Sequence, residues 1–571
     1  MMERVRRRLA WVPVALVVAA AAGSLARTAV VARDRSAAVA QQASPSPSPT
    51  TDGREATDRG TDPGRNLQPY DPKPLDVVRA PEKLVGLDER RAIRLVAGAV
   101  ELVEGAEVLR RIPFDTSGSV PFDRIAEVVG DPEWVEEVGE GEFLLKAAFA
   151  QAPGTDVLFG GEGVRTLRLA TRPDVFVGGV GASARFQDVL VTSWDEGSTS
   201  PERDPETARP FVLYENGSTL DIVRSEIGYL GYDRSMAYGV SWRLASTGSL
   251  VDSEIHHNFF GVYTFEAHDI EFRENVFRDN AFYGLDPHDF STGLLVVGNE
   301  AFGNGSHGII FSRGVVDSVV RDNHAHDNGG NGIVMDFESD RNLVERNRVD
   351  QNEGDGIVVL GSSDVTVRDN LIRGNRVGVR LNHQGTGSVV GGNRILANEV
   401  GIQVYDGAHD VLLESNRIEG SGDTGIVLEE AGATSRGDLV VGSSVGVEIR
   451  APAALEGTRA RDVGTGVRVT ERGIATMTGV DLQAGELGVE VEGGGIARLE
   501  RSNVSAPEPL DGSLRSGLEN RFSRPLGALP WFAIAGVSFV SLAFVLQLMH
   551  RARNRGTRRR PSVPRSVVNV R

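Results

Sequence analysis

Apolar and polar positions repeat along the middle of the chain with a period near 23 residues. An asparagine recurs at steps of 24 or 23 residues, a second asparagine usually lies five residues later, and a glycine follows. The first asparagines are Asn275, Asn299, Asn323, Asn347, Asn370, Asn393 and Asn416, and the glycines are Gly284, Gly308, Gly332, Gly356, Gly378, Gly401 and Gly425. Each repeat contains short apolar runs between turn residues, as β-strands do. This period, without the leucine pattern of leucine-rich repeats, predicts an all-β, right-handed parallel β-helix over residues 155–505.

The repeated asparagines are interpreted as structural. In a solenoid, equivalent positions of successive coils lie above one another, so that stacked amide side chains can bond to their equivalents. We therefore expect the asparagine columns to form ladders in the turns rather than a binding site.

Alternation along the strand that follows each repeat glycine predicts which side chains face the core. The first residue is always aliphatic and the third is mostly apolar, so both should point inward. The second and fourth residues should point outward. Because the coils stack, these outward columns should form a continuous surface on which a function can be built.

One strand departs from the apolar pattern: residues 286–289 read Asp-Pro-His-Asp. A proline and three ionisable groups weaken strand pairing and packing, and such a local departure is expected at a functional site. Arg313 lies on the next coil, one position out of step with His288, and neighbouring strands are about 4.8 Å apart. An imidazole, two carboxylates and a guanidinium should therefore converge. The structural alternative is a solvated surface histidine beside two turn aspartates.

This group suits proton abstraction beside a carboxylate. Arginine can pair with the substrate carboxylate and stabilise the enolate-like charge that develops. Histidine, with an aspartate that fixes its tautomer, can act as the base near neutral pH. We expect the catalytic residues to be His288, Arg313, Asp286 and Asp289, and the substrate-binding residues to be Tyr283, His307, Asp336, Arg380, Asn382, His383 and Tyr405.

The remaining histidines of the repeat region, among them His256, His324 and His326, are expected mostly in turns. No histidine pair at i, i+4 and no other tight ligand spacing occurs, and the chain has no cysteine. We therefore predict neither a metal site nor a cofactor.

Around these residues the sequence resembles the periplasmic alginate (mannuronan) C-5 epimerases. The resemblance covers about residues 155–430 and is carried by residues 228–232, 236–239, 261–267, 283–289 and 307–313. It implies a parallel β-helix that acts on an exported, mannuronan-like polysaccharide without a metal. It also implies that His288 is the base, that Arg313 neutralises the uronate carboxylate, that Asp286 and Asp289 are the acids of the motif, and that Tyr283 flanks them.

The two ends of the chain predict export and membrane anchoring. Residues 1–27 combine a basic region with an apolar run and are predicted to be a signal peptide or N-terminal anchor. Residues 529–549 are an uncharged apolar run followed by an arginine-rich tail at 550–571, as in a transmembrane helix with a cytoplasmic tail. We therefore expect a single-pass cell-membrane protein with an extracellular solenoid, for which a polysaccharide synthesis or export complex is a candidate partner.

The segments in between are predicted from composition. Residues 28–78 include Ser-Pro repeats and read as a disordered linker, residues 79–154 as a small N-terminal cap region, and residues 506–528 as a second linker. Short helices are expected over residues 88–104 and 122–138 of the cap. The net charge of −18 argues against a nucleic-acid partner.

Two other functions remain compatible with the sequence. A polysaccharide lyase begins with the same proton abstraction, so the residues named above do not distinguish it from an epimerase. A glycan-binding or assembly scaffold at the membrane would need no catalytic group at all. The linker and the predicted membrane helix also differ from the soluble periplasmic epimerases, which leaves the identity of the glycan open.

Overall fold

The computed structural model describes residues 90–524 except 235, 513 and 518. The predicted signal peptide (1–27), linker (28–78), transmembrane helix (529–549) and tail (550–571) all lie outside these residues, as do residues 79–89 of the cap and 525–528 of the second linker. Within the described part of the chain, no helix has the length and apolar character needed to cross a bilayer.

The described residues form the predicted right-handed parallel β-helix, with about 16 turns. Each turn contributes one strand to each of three parallel sheets, which we call A, B and C in chain order. Equivalent strands pair in register from coil to coil; Val262, for example, lies opposite Leu285, and Leu285 opposite Ile309. This register places each repeat position in a column that runs along the solenoid.

The strands of sheet A include those that carry the Asp-Pro-His-Asp motif and its neighbours. They are Ala148–Gln151, Val177–Val180, Val212–Glu215, Val240–Arg243, Val262–Phe265, Leu285–His288, Ile309–Ser312, Ile333–Asp336, Ile357–Leu360, Val377–Asn382, Val400–Val404, Thr424–Leu428, Val445–Ile449 and Glu508–Asp511.

Sheets B and C form the other faces of each coil. Sheet B comprises Ser119–Pro121, Asp156–Gly160, Ser183–Gln187, Thr219–Val223, Thr247–Val251, Ile270–Arg273, Leu295–Val297, Val319–Arg321, Leu343–Glu345, Thr366–Arg368, Val389–Gly391, Leu412–Glu414, Ala433–Arg436, Pro452–Glu456, Ile474–Thr478, Ile496–Glu500 and Leu514–Ser516. Sheet C comprises Glu142–Leu145, Thr166–Ala170, Leu190–Trp194, Glu226–Gly228, Glu254–His256, Val276–Arg278, Glu300–Phe302, His324–His326, Arg348–Asp350, Leu371–Arg373, Arg394–Leu396, Arg417–Glu419, Leu439–Val441, Asn503–Ser505 and Arg521–Ser523.

The two longest strands, Arg459–Val469 and Asp481–Val491, belong to both sheets. Arg459 pairs with Leu439 of sheet C, whereas Val467 pairs with Val447 of sheet A. In these two coils a continuous strand therefore replaces the turn between the two sheets.

The parallel pairing extends beyond the predicted range of 155–505 at both ends. Ser119–Pro121 already pairs in parallel with Asp156–Gly160, and Asn503–Ser505 pairs with Arg521–Ser523 in part of the predicted 506–528 linker. The solenoid therefore includes segments whose composition alone indicated a cap and a linker.

The cap prediction was only partly right. Residues 88–104, expected as a helix, contain instead an antiparallel hairpin of Arg91–Val96 and Ala99–Glu104, because Gly98 at φ +76° allows a tight turn. A third strand, Glu107–Pro113, pairs with the hairpin. A helix does form at Phe122–Val129 but ends at Gly130, and the strand Val135–Gly139 follows it. Arg91–Val96 also pairs in parallel with Ala148–Gln151 and so covers the first strand of sheet A.

The core lies inside the coils, where the predicted inward columns meet. The first residues of the repeat strands, such as Leu285, Ile309 and Ile333, are fully buried, and so are third residues such as Phe311 and Met335. The inward assignment of these two columns is confirmed.

Both asparagine columns form the ladders that were expected. The Asn275 amide donates to Asn299 Oδ1 at 2.9 Å, and the same bond repeats at each coil until Asn416 donates to Asp438 at 2.9 Å. The second column runs likewise from Asn280 to Asn398. Each amide also donates to a backbone carbonyl, as Asn323 does to Val296, except that of Asn398, whose Nδ2 has no partner among the described residues. These buried side chains therefore satisfy the backbone hydrogen-bonding groups of the turns and link successive coils.

Candidate active site

The motif strand Leu285–His288 is held in sheet A at its two ends. Leu285 pairs with Ile309 and His288 with Ser312, whereas the intervening Asp286 and Pro287 have no paired partner on that coil. Proline lacks the N–H that a ladder bond needs. The expected loss of strand pairing at the motif is therefore present, and it is confined to two positions.

The turns that follow the strands of sheet A place the next residue of each coil in a left-handed conformation. Asp289 has φ +33° and Arg313 has φ +58°. This conformation is uncommon for residues other than glycine, and it recurs here in successive coils. It stacks Asp289 and Arg313 directly above one another at the edge of the sheet, although Arg313 is one position out of step with His288.

The Asp289 carboxylate connects the base and the cation. His288 Nδ1 lies 2.9 Å from Asp289 Oδ2, and the Arg313 guanidinium contacts Asp289 Oδ1. Asp289 is fully buried, His288 is 12% exposed and Arg313 is about half exposed. His288 Nε2 makes no hydrogen bond within the described residues. The predicted convergence of these three side chains is therefore present in the structure.

The charges of this group shift its pKa values in opposite directions. Burial would lower the pKa of His288, but the contact with Asp289 and the charge of Asp286 outweigh it, and the pKa is raised. Burial would raise the pKa of Asp289, but His288 and Arg313 outweigh it, and the pKa is lowered. Asp289 is therefore a stable anion beside Nδ1, where its charge favours a proton on that nitrogen of the neutral imidazole and a lone pair on Nε2.

Asp286 lies deeper than its predicted outward position implied. It is 1% exposed, and its Oδ1 accepts a hydrogen bond of 2.8 Å from the Ser312 hydroxyl. Burial raises its pKa to about 7. Its second oxygen, Oδ2, is buried and has no hydrogen-bond partner among the described residues. Asp286 therefore differs from Asp289, because it can carry a proton near neutral pH.

The outward second column is covered rather than open, which corrects the sequence expectation. Tyr263, Asp286, Ile310, Val334 and Val358 all belong to this column and are almost completely buried. Aromatic residues from the turns before the strands pack over it, namely Tyr238, Phe259, Phe260 and Tyr283. Over these five coils the function-bearing surface is thus reduced to the fourth column and the edge of the sheet, whereas Arg380, further along the second column, is partly exposed.

Tyr283 and His307 form one wall of the site. Their rings stack with centroids 5.3 Å apart, and Tyr283 is 5% exposed. His307 Nδ1 accepts a hydrogen bond of 3.0 Å from the backbone N–H of Asn331. Burial lowers the pKa of His307 to about 4, so its ring is neutral with the proton on Nε2. His307 therefore supplies a neutral donor and not a second base.

Comparison with known proteins agrees with the fold. The family model for the right-handed β-helix region matches residues 212–364 and 318–460. The Mannuronan C5-epimerase of Pseudomonas putida is 31% identical over 235 residues, which cover 38% of this chain and 45% of that protein. The Mannuronan C5-epimerase AlgG of Azotobacter vinelandii is 34% identical over 220 residues, or 36% of this chain and 41% of that protein. The chain thus spans less than half the length of these curated relatives.

This chain is a right-handed β-helix protein whose sequence is similar to that of mannuronan C5-epimerases. Among solved structures, the periplasmic alginate epimerase AlgG aligns with a TM-score of 0.49 at 23% identity, over 66% of this chain and 84% of that one.

The other predicted binding residues lie further along the same face of the β-helix. Asp336 is two coils beyond His288 in the fourth column, and burial raises its pKa to about 6. Asn382 is two coils beyond Asp336, and Arg380 is on the same strand in the second column. At about 4.8 Å per coil, Asn382 is about 19 Å from the motif strand. The face of sheet A from His288 to Asn382, which we call the candidate groove, therefore includes these residues. They do not contact the group formed by His288, Asp289 and Arg313.

Arg380, Asn382 and Tyr405 form a hydrogen-bonded cluster. The Tyr405 hydroxyl accepts bonds of 3.2 Å from both Arg380 Nη1 and Asn382 Nδ2. Arg380 also lies 2.6 Å from the fully buried Asp355. His383 is half exposed, packs edge-on against Phe337 at 4.9 Å and lies 3.5 Å from Asp406.

Sequence reasoning missed three contributors to the site. Ser312 bonds to Asp286, the Tyr263 ring lies 5.4 Å from the His288 ring, and Asp355 holds Arg380. Tyr263 lies opposite Asp286 on the preceding coil and Ser312 lies opposite His288 on the following coil, so the register could have identified both residues. Asp355 lies in a turn, where the repeat pattern gives no indication of side-chain direction.

Proposed function

We propose that the chain is a polysaccharide epimerase that inverts C-5 of uronate residues in an exported, mannuronan-like glycan. The observation that carries this proposal is the shared contact of His288 and Arg313 with one buried carboxylate, Asp289. The Asp289 carboxylate places a base with a free nitrogen, His288, and a half-exposed cation, Arg313, at the same edge of sheet A. The similarity to Mannuronan C5-epimerases supports the same reaction.

In the proposed reaction, His288 Nε2 removes the proton from C-5. The Arg313 guanidinium pairs with the substrate carboxylate and stabilises the enolate-like charge that forms beside it. Water delivers a proton to the opposite face of C-5, and His288 releases its own proton to solvent. The substrate thus loses and regains one proton, and its configuration is inverted. Because arginine supplies the positive charge, this route uses no metal or cofactor.

Unpaired acceptors along the groove support a sugar as the ligand. Asp286 Oδ2, Asp336 Oδ1 and Asn382 Oδ1 are buried and have no hydrogen-bond partner among the described residues. Buried acceptors are normally paired, and the hydroxyl groups of a glycan are donors of the right kind. These three oxygens lie at intervals along sheet A, as binding of an extended polymer requires.

The test is incubation of the purified full-length chain with polymannuronate in deuterated water. We expect deuterium at C-5 and conversion of the configuration without new unsaturated ends. His288→Ala should lower the rate by about 100-fold or more, because general-base catalysis contributes a factor of that order. Unsaturated chain ends would instead identify a lyase, and the absence of both signals on several polyuronates would contradict the proposal and favour the scaffold.

A matched control is His268→Ala. His268 also lies beside an aspartate that follows it in sequence, with Nδ1 3.0 Å from Asp269, but Asp269 is exposed and His268 lies opposite Thr292, in the turn after the motif strand, rather than opposite His288. This variant should retain the wild-type rate. An equal loss in both variants would mean that the effect of His288→Ala is not specific to the site.

We also propose that the β-helix is exported and anchored to the cell membrane by residues 529–549, and that it acts beside a polysaccharide export complex. The apolar run and the arginine-rich tail that follows it support this arrangement. Protease added to intact spheroplasts should digest the β-helix and spare a tag fused after residue 571. Release of the whole protein by a salt wash would contradict the anchoring.

A further inference from the structure

A pair of histidines lies on the outer face of sheet C, on a different side of the coil from His288. His324 and His326 were expected in a turn, but they form the strand His324–His326 with Ala325 between them. Side chains two residues apart on a strand share a face, and Ala325 points into the core with no exposed surface. Glu300 is in register with His324 on the preceding coil.

The three side chains present their donor atoms to one point. Glu300 Oε1 lies 3.1 Å from His326 Nε2 and 3.7 Å from His324 Nδ1. One ligand atom from each of the three residues falls within 4.8 Å of the others. In a tetrahedral zinc site with bonds near 2.1 Å, ligand atoms are about 3.4 Å apart. The observed separations are therefore close to those that a single bound ion requires.

Both histidines also carry a carboxylate on the ring nitrogen that faces away from this point. His324 Nε2 lies 2.8 Å from Asp350 Oδ1, and His326 Nδ1 lies 2.7 Å from Asp327 Oδ2. Histidines that bind metals usually donate their other N–H to a carboxylate or carbonyl, which fixes the tautomer and increases the basicity of the ligating nitrogen. This arrangement is present twice in the same cluster.

Neighbouring contacts hold the rings in place. The His326 ring stacks on Phe302 with centroids 5.1 Å apart, and the two histidine rings stack on each other at 3.9 Å. Asp350 is held by Arg348 at 2.9 Å. The cluster is partly buried, so its ligands are ordered while an ion can still enter from solvent.

We propose that Glu300, His324 and His326 form a binding site for a divalent transition metal, with Zn²⁺ as the expected ion. Two imidazole nitrogens and a carboxylate suit Zn²⁺ or a late first-row ion, whereas Ca²⁺ and Mg²⁺ require mainly oxygen ligands. The fourth position is open to water. The ion would join two successive coils on sheet C, which carries none of the candidate catalytic residues. Glu300 belongs to the coil that starts with the motif strand.

The first test measures Zn²⁺ bound to the full-length chain after removal of metals with EDTA and dialysis. We expect one tightly bound ion per chain and, with Co²⁺ as the probe, the visible absorption of a four-coordinate N/O site. The double variant H324Q/H326Q should lose both signals. Equal zinc binding by the wild type and the double variant would overturn the proposal.

Control variants separate this site from the catalytic histidines and from misfolding. H288N should retain the ion, whereas loss in H288N would assign the zinc to the candidate active site instead. H409Q changes an exposed histidine whose ring bonds to the Gly407 carbonyl and lies 4.0 Å from Asp410, and it should behave as wild type. Zn²⁺ should raise the Tm of the wild type and of H409Q but not that of H324Q/H326Q, because an ion that binds only the folded state stabilises it. The circular dichroism of the metal-free double variant should match that of the metal-free wild type, and a clear difference would mean that the three side chains form a metal-independent structural contact.

Discussion

At the residue scale, the two aspartates of the motif have different roles because their surroundings differ. Asp289 faces a guanidinium and an imidazole and remains charged, whereas Asp286 faces a hydroxyl and apolar neighbours. The sequence predicted that both belong to the site. It did not predict the division of roles, because that depends on the aromatic residues that bury the second column.

The contact between Asp289 and His288 should set the pH dependence of activity. The base acts in its neutral form, so kcat/KM should fall as the pH drops below the raised pKa of His288. Asp289→Asn removes the charge that raises this pKa, and the acid limb should therefore move to lower pH while the maximum rate decreases. The measurement is the pH profile of kcat/KM for C-5 exchange in the wild type and the variant.

Asp269→Asn is the matched control for this profile, because it removes the same neighbour from the exposed His268. Its acid limb should coincide with that of the wild type. If Asp289→Asn leaves the limb unmoved as well, His288 is not the group whose titration limits the reaction.

Asp286 should make folding depend on pH in a defined direction. A carboxyl with a pKa of about 7 instead of 3.8 binds more protons when folded, so it contributes stability at low pH that is lost as the pH rises from about 4 to 7. The full difference corresponds to as much as about 4 kcal/mol. Asp286→Asn keeps an acceptor for Ser312 and should therefore raise the free energy of unfolding at pH 8, with little change at pH 4. A variant that is less stable at pH 8 would contradict this account.

At the element scale, the coil was predictable because one register repeats many times. The aliphatic first column and the two asparagine columns identified the inward faces, and the structure confirms them. The hairpin Arg91–Val96 and Ala99–Glu104 was not predictable in this way. It occurs once, and its apolar residues fit a helix and a strand about equally well until the turn at Gly98 decides between them.

The ladder should make single asparagines important for stability. Asn323 Oδ1 accepts bonds from the backbone N–H and the side chain of Asn299, both at 2.9 Å, and its own amide donates to Val296 and Asn347. Asn323→Ala leaves the buried backbone N–H of Asn299 unpaired and removes a donor from the Val296 carbonyl and from Asn347 Oδ1, so it should cost about 1–3 kcal/mol. Urea denaturation should show this loss as a lower midpoint.

Asn503→Ala provides the comparison for the ladder variant. Asn503 also lies on a strand of the solenoid, but its side chain is exposed. Its substitution should change the midpoint little. Equal effects at the two positions would show that the ladder adds nothing beyond the ordinary cost of losing an asparagine.

At the scale of the whole molecule, the candidate groove is long because columns continue from coil to coil. The protein carries a net charge of −18, so a polyanionic glycan can approach only where cations are concentrated locally. Arg313 and Arg380 are two such positions on the same face. The extent of this groove follows from the repeat, whereas its depth depends on the aromatic cover and could not be predicted.

Arg380 should matter only for substrates long enough to reach it. It lies about 19 Å along the solenoid from the motif strand. Arg380→Gln should therefore raise KM for long polyuronates while leaving kcat and the KM of short oligomers nearly unchanged. Arg394→Gln, which alters an exposed side chain on sheet C, is the control. A loss of kcat on short oligomers would place Arg380 in the chemistry rather than in polymer binding.

The asparagine ladder also has a consequence for how such a chain can change its length during evolution. In the first column every amide from Asn275 to Asn416 donates to the following coil, and Asp438 ends the series as an acceptor for Asn416. Duplication or loss of one whole repeat would leave every bond intact, whereas an insertion of a few residues within a coil would interrupt both columns. Related genes should therefore differ in this region by multiples of a complete repeat, and smaller insertions should be confined to the turn from sheet A to sheet B, which carries neither column.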